Sequence, residues 1–81
     1  ITYRLLDLAY INGVYMALPD WQQRVVDERD QLDDRLQKLR AFFKTPQFEK
    51  LPEDDQRVLR QQSVFMGEYL SILEYRISKF V

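Results

Sequence analysis

LPDWQQRVV at residues 18–26 is answered, 33 residues later, by LPEDDQRVL at residues 51–59. Each phrase reads as the start of a helix. Proline fits a first helical turn because its missing N–H needs no partner there, and an acid after it favours the positive end of the helix dipole. Asp20 with Gln23, and Glu53 with Gln56, have the three-residue spacing of a capping box. Asp20 with Arg24, and Glu53 with Arg57, are spaced four apart, as ion pairs within a helix are. Two similar beginnings then imply two similar helices. They do not imply a solenoid, since two units cannot bury a repeat core.

The residues that follow each start carry the helical period. After Trp21 the apolar side chains fall at Val25, Val26, Leu32, Leu36, Leu39, Phe42 and Phe43, at the spacings of one helix face. Thr45 stands before Pro46 and is pushed out of helical geometry, so TPQF ends this helix. After the second start the stripe is Val58, Leu59, Phe65, Met66, Tyr69, Ile72, Leu73, Ile77 and Phe80, which predicts a helix over roughly 53–80. The short connection TPQFEKLP makes the two helices antiparallel neighbours, with Phe48 and Leu51 tucked under the turn. Ahead of them, ITYRLLDLAYINGVYMA (residues 1–17) is read as a short helix kinked near Asn12-Gly13. It holds three of the five tyrosines. The expected fold is therefore all-α, one domain: an N-terminal helix over 1–17 and a long antiparallel helical hairpin over 18–81, assembling into a helical oligomer.

Composition supports assembly. A chain of 81 residues buries only about 60–65 per cent of the surface its unfolded form exposes, yet 46 per cent of its residues are hydrophobic, so a partner subunit is the natural place for the surplus. A net charge of −1 from 12 basic and 13 acidic side chains argues against DNA or an anionic membrane as partner, because neither is met by a mixed charge pattern. There is no Cys and no His, which removes disulfides, thiolates, imidazole bases and the usual zinc sets. Without a glycine-rich phosphate loop or a metal motif, the carboxylates form a solvated acidic face, and neither an enzyme nor a cofactor is expected. No apolar run approaches a membrane span and no signal peptide is recognisable, so a soluble intracellular protein is expected. The chain opens on Ile1 rather than Met, which leads us to expect further sequence ahead of it.

Used as rulers, the two starts expose residues out of pattern. Equal distances from each give Val25, Arg29, Leu32, Leu36, Leu39 and Phe43 in the first helix, and Val58, Gln62, Phe65, Tyr69, Ile72 and Arg76 in the second. Antiparallel pairing puts Arg29 level with about Tyr69, Gln62 with Leu36, and Arg76 with Trp21 and Gln22. An arginine on a core stripe needs a carboxylate, such as Glu68 or Asp33, or a route to water. The functional alternative is an anion site at the open end of the hairpin, where Trp21, Arg24, Arg29, Arg76 and the N-terminal tyrosines converge. Arginine forks beside aromatic faces suit a nucleotide, which offers phosphates and flat bases. Gly67 lies between Ser63 and Ser71; this small-residue stripe admits close approach by the N-terminal segment or a second protomer, unless the placement is chance.

The stretch from Leu18 to Ile77 also resembles the helical hairpin domain of phage anti-CBASS sponges and their anti-Thoeris relative. The resemblance rests on QQRVVDE, on Leu36, Leu39, Phe42 and Phe43, on the Phe and Leu of PQFEKLP, and on Met66 to Ile77. It implies an all-helical homohexamer built from dimers. Such an assembly binds cyclic dinucleotides such as cyclic GMP-AMP, and in some members cyclic trinucleotides, between protomers and without cleavage. The ligand would thereby be kept from CBASS immunity, in the cytoplasm of the infected bacterial host. The resemblance assigns ligand contact to an N-terminal tyrosine, Tyr10 or Tyr15, and to the cation of the VVDE stretch, which here is Arg29. The strand-forming sequence that follows the hairpin in anti-Thoeris relatives is absent after it here, which favours the anti-CBASS type. The competing expectation is a small adapter hairpin whose apolar face binds another protein.

Overall fold

The computed structural model describes residues 8–11 and 14–80, those of its two strands as backbone only. In chain order it contains strand β1 (Leu8–Ile11), strand β2 (Val14–Ala17), helix α1 (Asp20–Phe42), the single turn of helix α2 (Pro46–Glu49) and helix α3 (Glu53–Ser78). The helical hairpin is as expected, and the expected oligomer lies outside a single chain.

The N-terminal segment corrects the expectation of a helix over 1–17. Leu8 to Ile11 pairs antiparallel with Val14 to Ala17, Tyr10 opposite Tyr15 and Ile11 opposite Val14. Two short runs rich in β-branched and aromatic residues, separated by Asn-Gly alone, are the strongest local signal for a β-hairpin. Residues 1–7, and the kink expected at Asn12-Gly13, lie outside the described residues.

The helix starts differ in detail from a capping box. Pro19 and Pro52 occupy the N-cap positions, with no side-chain cap, and Asp20 and Glu53 are the first helical residues. The glutamines turn elsewhere. Gln23 donates to Asp27 at 3.0 Å, and Gln56 donates to the carbonyls of Leu51 and Glu49 at 2.9 and 3.2 Å, tying α3 to the turn before it. Arg57 meets Asp54 at 3.8 Å, not Glu53. Asp20 and Arg24 form no ion pair among the described residues.

The turn follows its sequence closely. Thr45 is extended and caps α2, its hydroxyl accepting from Phe48 N at 3.3 Å and donating to Phe42 O at 2.7 Å. Phe48 is buried against Phe42 and Phe43, with the Arg60 guanidinium 5.0 Å from its ring centre. Leu51 is half-buried.

The main core joins Leu18, Val25 and Val26 to Leu73 and Ile77, with Leu32 and Phe80 packed against it. On α1 the buried face is the expected one. On α3 it is not: Val58, Phe65, Tyr69 and Ile72 are exposed, Phe65 by 60 per cent, and Gln62 and Arg76 are exposed with them. The face turned to α1 lies about one residue further round, through Leu59, Ser63, Met66, Leu70, Leu73, Ile77 and Phe80, all buried or half-buried. Gly67 is on this face. It lies against α1, where an added Cβ would sit 3.6 Å from Arg40 Nη2 and 4.0 Å from Leu36 Cδ2. The neighbour of Gly67 is therefore the first helix of the same chain, while Ser71, the last residue of the small stripe, is exposed.

Both contacts of that added Cβ are ordinary van der Waals distances, and glycine inside a helix costs about 1 kcal/mol relative to alanine. Gly67→Ala should therefore raise stability by about 0.4–1 kcal/mol. Leu73→Ala, which empties a fully buried site, should lower it by about 2–5 kcal/mol. Urea unfolding followed by circular dichroism checks both.

Candidate ligand site at the open end of the hairpin

Arg29 is the one buried charged residue among those described, with 5 per cent of its surface exposed. Three carboxylates surround it. Nε and Nη2 both donate to Glu74 Oε2, at 3.2 and 2.9 Å; Nη1 donates to Asp30 at 3.2 Å and lies 3.7 Å from Asp33. Burial works against the charge, but the bonds to Glu74 and Asp30 and the charges of Asp33 and Glu74 outweigh it, so the guanidinium is held protonated more firmly than usual. The expectation that Arg29 meets a carboxylate is met by Asp33; Glu68 is not among its partners, and Glu74 and Asp30 went unforeseen.

Glu74 was missed because the helix register differs from the expected one. Trp21 meets Phe80 edge to face, ring centres 5.4 Å apart, where pairing around a tight turn would bring Arg76 there. Arg29 reaches Glu74 rather than Tyr69. The offset is about one helical turn, and it enters through the extra turn of α2. Tyr69 instead donates its hydroxyl to Glu28. That bond, with desolvation and the charge of Glu28, raises its phenol pKa above 10.0 while Arg76 pulls it down.

The remaining candidates divide by exposure. Trp21 is 56 per cent exposed. Arg24, three residues on, and Arg76 are exposed, and neither forms an ion pair among the described residues. Tyr10 and Tyr15 are cross-strand partners in the ribbon; their side chains lie outside the described residues. The open end thus carries one aromatic face and two uncommitted guanidinium groups, chemistry that suits an anion with a flat ring. No group of three or more acidic, Cys or His residues that could hold a metal occurs among the described residues. No described helix is long and apolar enough to cross a membrane.

An extended two-helix hairpin with such an end defines a small helical binding protein. The Sequestin family model matches residues 19–79, and the chain belongs to the Sequestin family. The matched stretch nearly coincides with that of the sponge resemblance, and it places the chain among sequestering, ligand-binding proteins rather than in a catalytic family. No curated protein and no solved structure matches the chain.

The Arg29 cluster has a measurable consequence. Removing the guanidinium leaves three carboxylates facing one another in partial burial, a loss of about 1–3 kcal/mol. Arg29→Ala should destabilise by that amount, and adding Glu74→Ala should recover part of it, with a coupling energy of about 0.5–3 kcal/mol in a double-mutant cycle. Strictly additive losses would show that the pair contributes nothing.

Proposed function

We propose that this chain is a phage counter-defence sponge: it binds cyclic oligonucleotide second messengers, cyclic dinucleotides such as cyclic GMP-AMP first among them, holds them without cleavage, and so blocks CBASS immunity in the host cytoplasm. The observation that carries this reading is membership of the Sequestin family over residues 19–79. Sequestration needs affinity and copy number rather than turnover, and a short chain assembling as a homo-oligomer, a hexamer built from dimers, provides both.

In this reading a base stacks on Trp21 and on Tyr10 or Tyr15 of the ribbon, and phosphates are met by Arg24 and Arg76. Arg29 stands behind them. Inside the protomer it is matched by three carboxylates, so its contact with phosphate requires the Glu74 carboxylate, whose side chain is 30 per cent exposed, to swing aside for the ligand. A mixed net charge is adequate, because a compact ligand with two or three phosphates needs a few placed cations and not a global field.

Thermal denaturation with a panel of cyclic di- and trinucleotides tests the function. A ligand at 100 times its dissociation constant adds about 2.7 kcal/mol, which for a domain this small raises the midpoint on the order of 10–20 °C. No shift with any of them sinks the proposal, and so does conversion of the nucleotide during long incubation. Trp21 is the only tryptophan, so its fluorescence should change on binding. Arg24→Ala and Arg76→Ala, at exposed positions, should weaken binding without loss of helix content.

A further inference from the structure

Three contacts set how α1 and α3 lie beside each other at the open end: Trp21 against Phe80, Tyr69 donating to Glu28, and Arg29 donating to Glu74. They put Arg24 level with Arg76. Trp21, Arg24 and Glu28 follow one another at three and four residues along α1, and Tyr69, Ile72 and Arg76 do so along α3, so each set shares one face of its helix. The Glu28–Tyr69 bond shows that these two faces lie on the same flank of the hairpin, and the Tyr69 phenol feels the charge of Arg76 there. The flank therefore has an order: the Trp21 ring, then two exposed guanidinium groups at one level, then the Glu28 carboxylate bonded to Tyr69. Seven residues of helix separate Trp21 from Glu28, about 10 Å. A cyclic dinucleotide has the same order, its two phosphates standing between two bases.

Stacking and phosphate contact leave Glu28 unused. It is exposed and forms no ion pair among the described residues, although Arg24 stands four residues before it. Its partner is the Tyr69 hydroxyl, on Oε2, and that bond fixes where the carboxylate lies. An ionised carboxylate only accepts, with about four lone-pair sites on two oxygens, so Glu28 held by Tyr69 still has room for donors. Guanine alone among the bases offers two adjacent donors on one edge, N1–H and the 2-amino group. Adenine sets its 6-amino group beside the N1 lone pair, which a carboxylate repels. We propose that Glu28 is a specificity-determining residue that accepts from a guanine edge of the bound cyclic dinucleotide, with Tyr69 the positioning residue that holds its carboxylate in place. The inference rests on the sponge reading and narrows its ligands to those that carry guanine.

Titration calorimetry with cyclic di-GMP, cyclic di-AMP and the hypoxanthine analogue cyclic di-IMP tests this on the full chain. The unmodified protein should prefer the guanine form to the adenine form on the order of 10- to 100-fold, the range of a two-bond base contact. The hypoxanthine form keeps N1–H but lacks the 2-amino group, and it should fall between them. Glu28→Gln replaces two acceptors by one acceptor and one donor, which suits adenine, so the ratio should collapse to within a few-fold through both a loss for guanine and a gain for adenine. Tyr69→Phe keeps the ring and removes the hydroxyl; it should lower the ratio while leaving affinity for the adenine form unchanged. A ratio near one in the unmodified protein, or a ratio that Glu28→Gln leaves as it was, would overturn the inference and leave the sponge reading standing. An unchanged ratio in Tyr69→Phe would overturn the positioning role. Binding of no cyclic nucleotide at all would sink the sponge reading itself, and this inference with it.

Discussion

A pair of helices can hide only one strip of each, and every other feature of this chain follows from that limit. α1 and α3 bury Val25, Val26, Leu36, Leu73 and Ile77 between them, with Leu18 closing one end and Phe48 the other. This is a thin core for a molecule 55 Å long and 18 × 16 Å across. Closeness of approach therefore matters more than bulk. Gly67 faces Leu36 and Arg40 of α1 on the inner strip of α3. Phe65 and Ile72, each more than half exposed, are left outside with Tyr69 because the strip through Leu73 and Ile77 has taken the inside.

The same limit explains Arg29. A hairpin this thin has no deep interior, so a guanidinium on its inner face reaches carboxylates at the rim from both helices, Asp30 and Asp33 on its own and Glu74 across the gap. Desolvating an ion is costly, and breaking such a cluster leaves charges facing each other. The cluster's gain over an apolar pair lies in direction: Glu74 and Arg29 meet only in one register of α1 against α3. Phosphate-binding arginines are usually left uncommitted, as Arg24 and Arg76 are. Arg29 is committed to three carboxylates, and its pairing with Glu74 is tied to the register of the hairpin itself.

Much of this was legible in the sequence, and the failures have physical causes. The α1 stripe is narrow and flanked by charges, so its period gave the correct buried face. Thr45-Pro46 ended α1, and Phe48 went under the turn, because proline geometry and one large ring allow little else. α3 was ambiguous because it carries two apolar strips about 100° apart, which periodicity cannot rank. Glu74 went unseen because α2 adds a turn to the connection and shifts the register. The N-terminal ribbon was written in Asn12-Gly13 between LAYI and VYMA, but a breaker inside a helix and a turn between strands use the same two residues. The β-branched and aromatic residues on both sides, Tyr10, Ile11, Val14 and Tyr15, should have decided between them.

A second apolar strip on α3 would be a liability on a solitary chain, exposing large side chains in a row. The inner strip, centred on Leu73 and Ile77, builds the protomer. The outer strip leaves Val58, Phe65 and Ile72 each more than half exposed, because two helices can cover only one strip of each other.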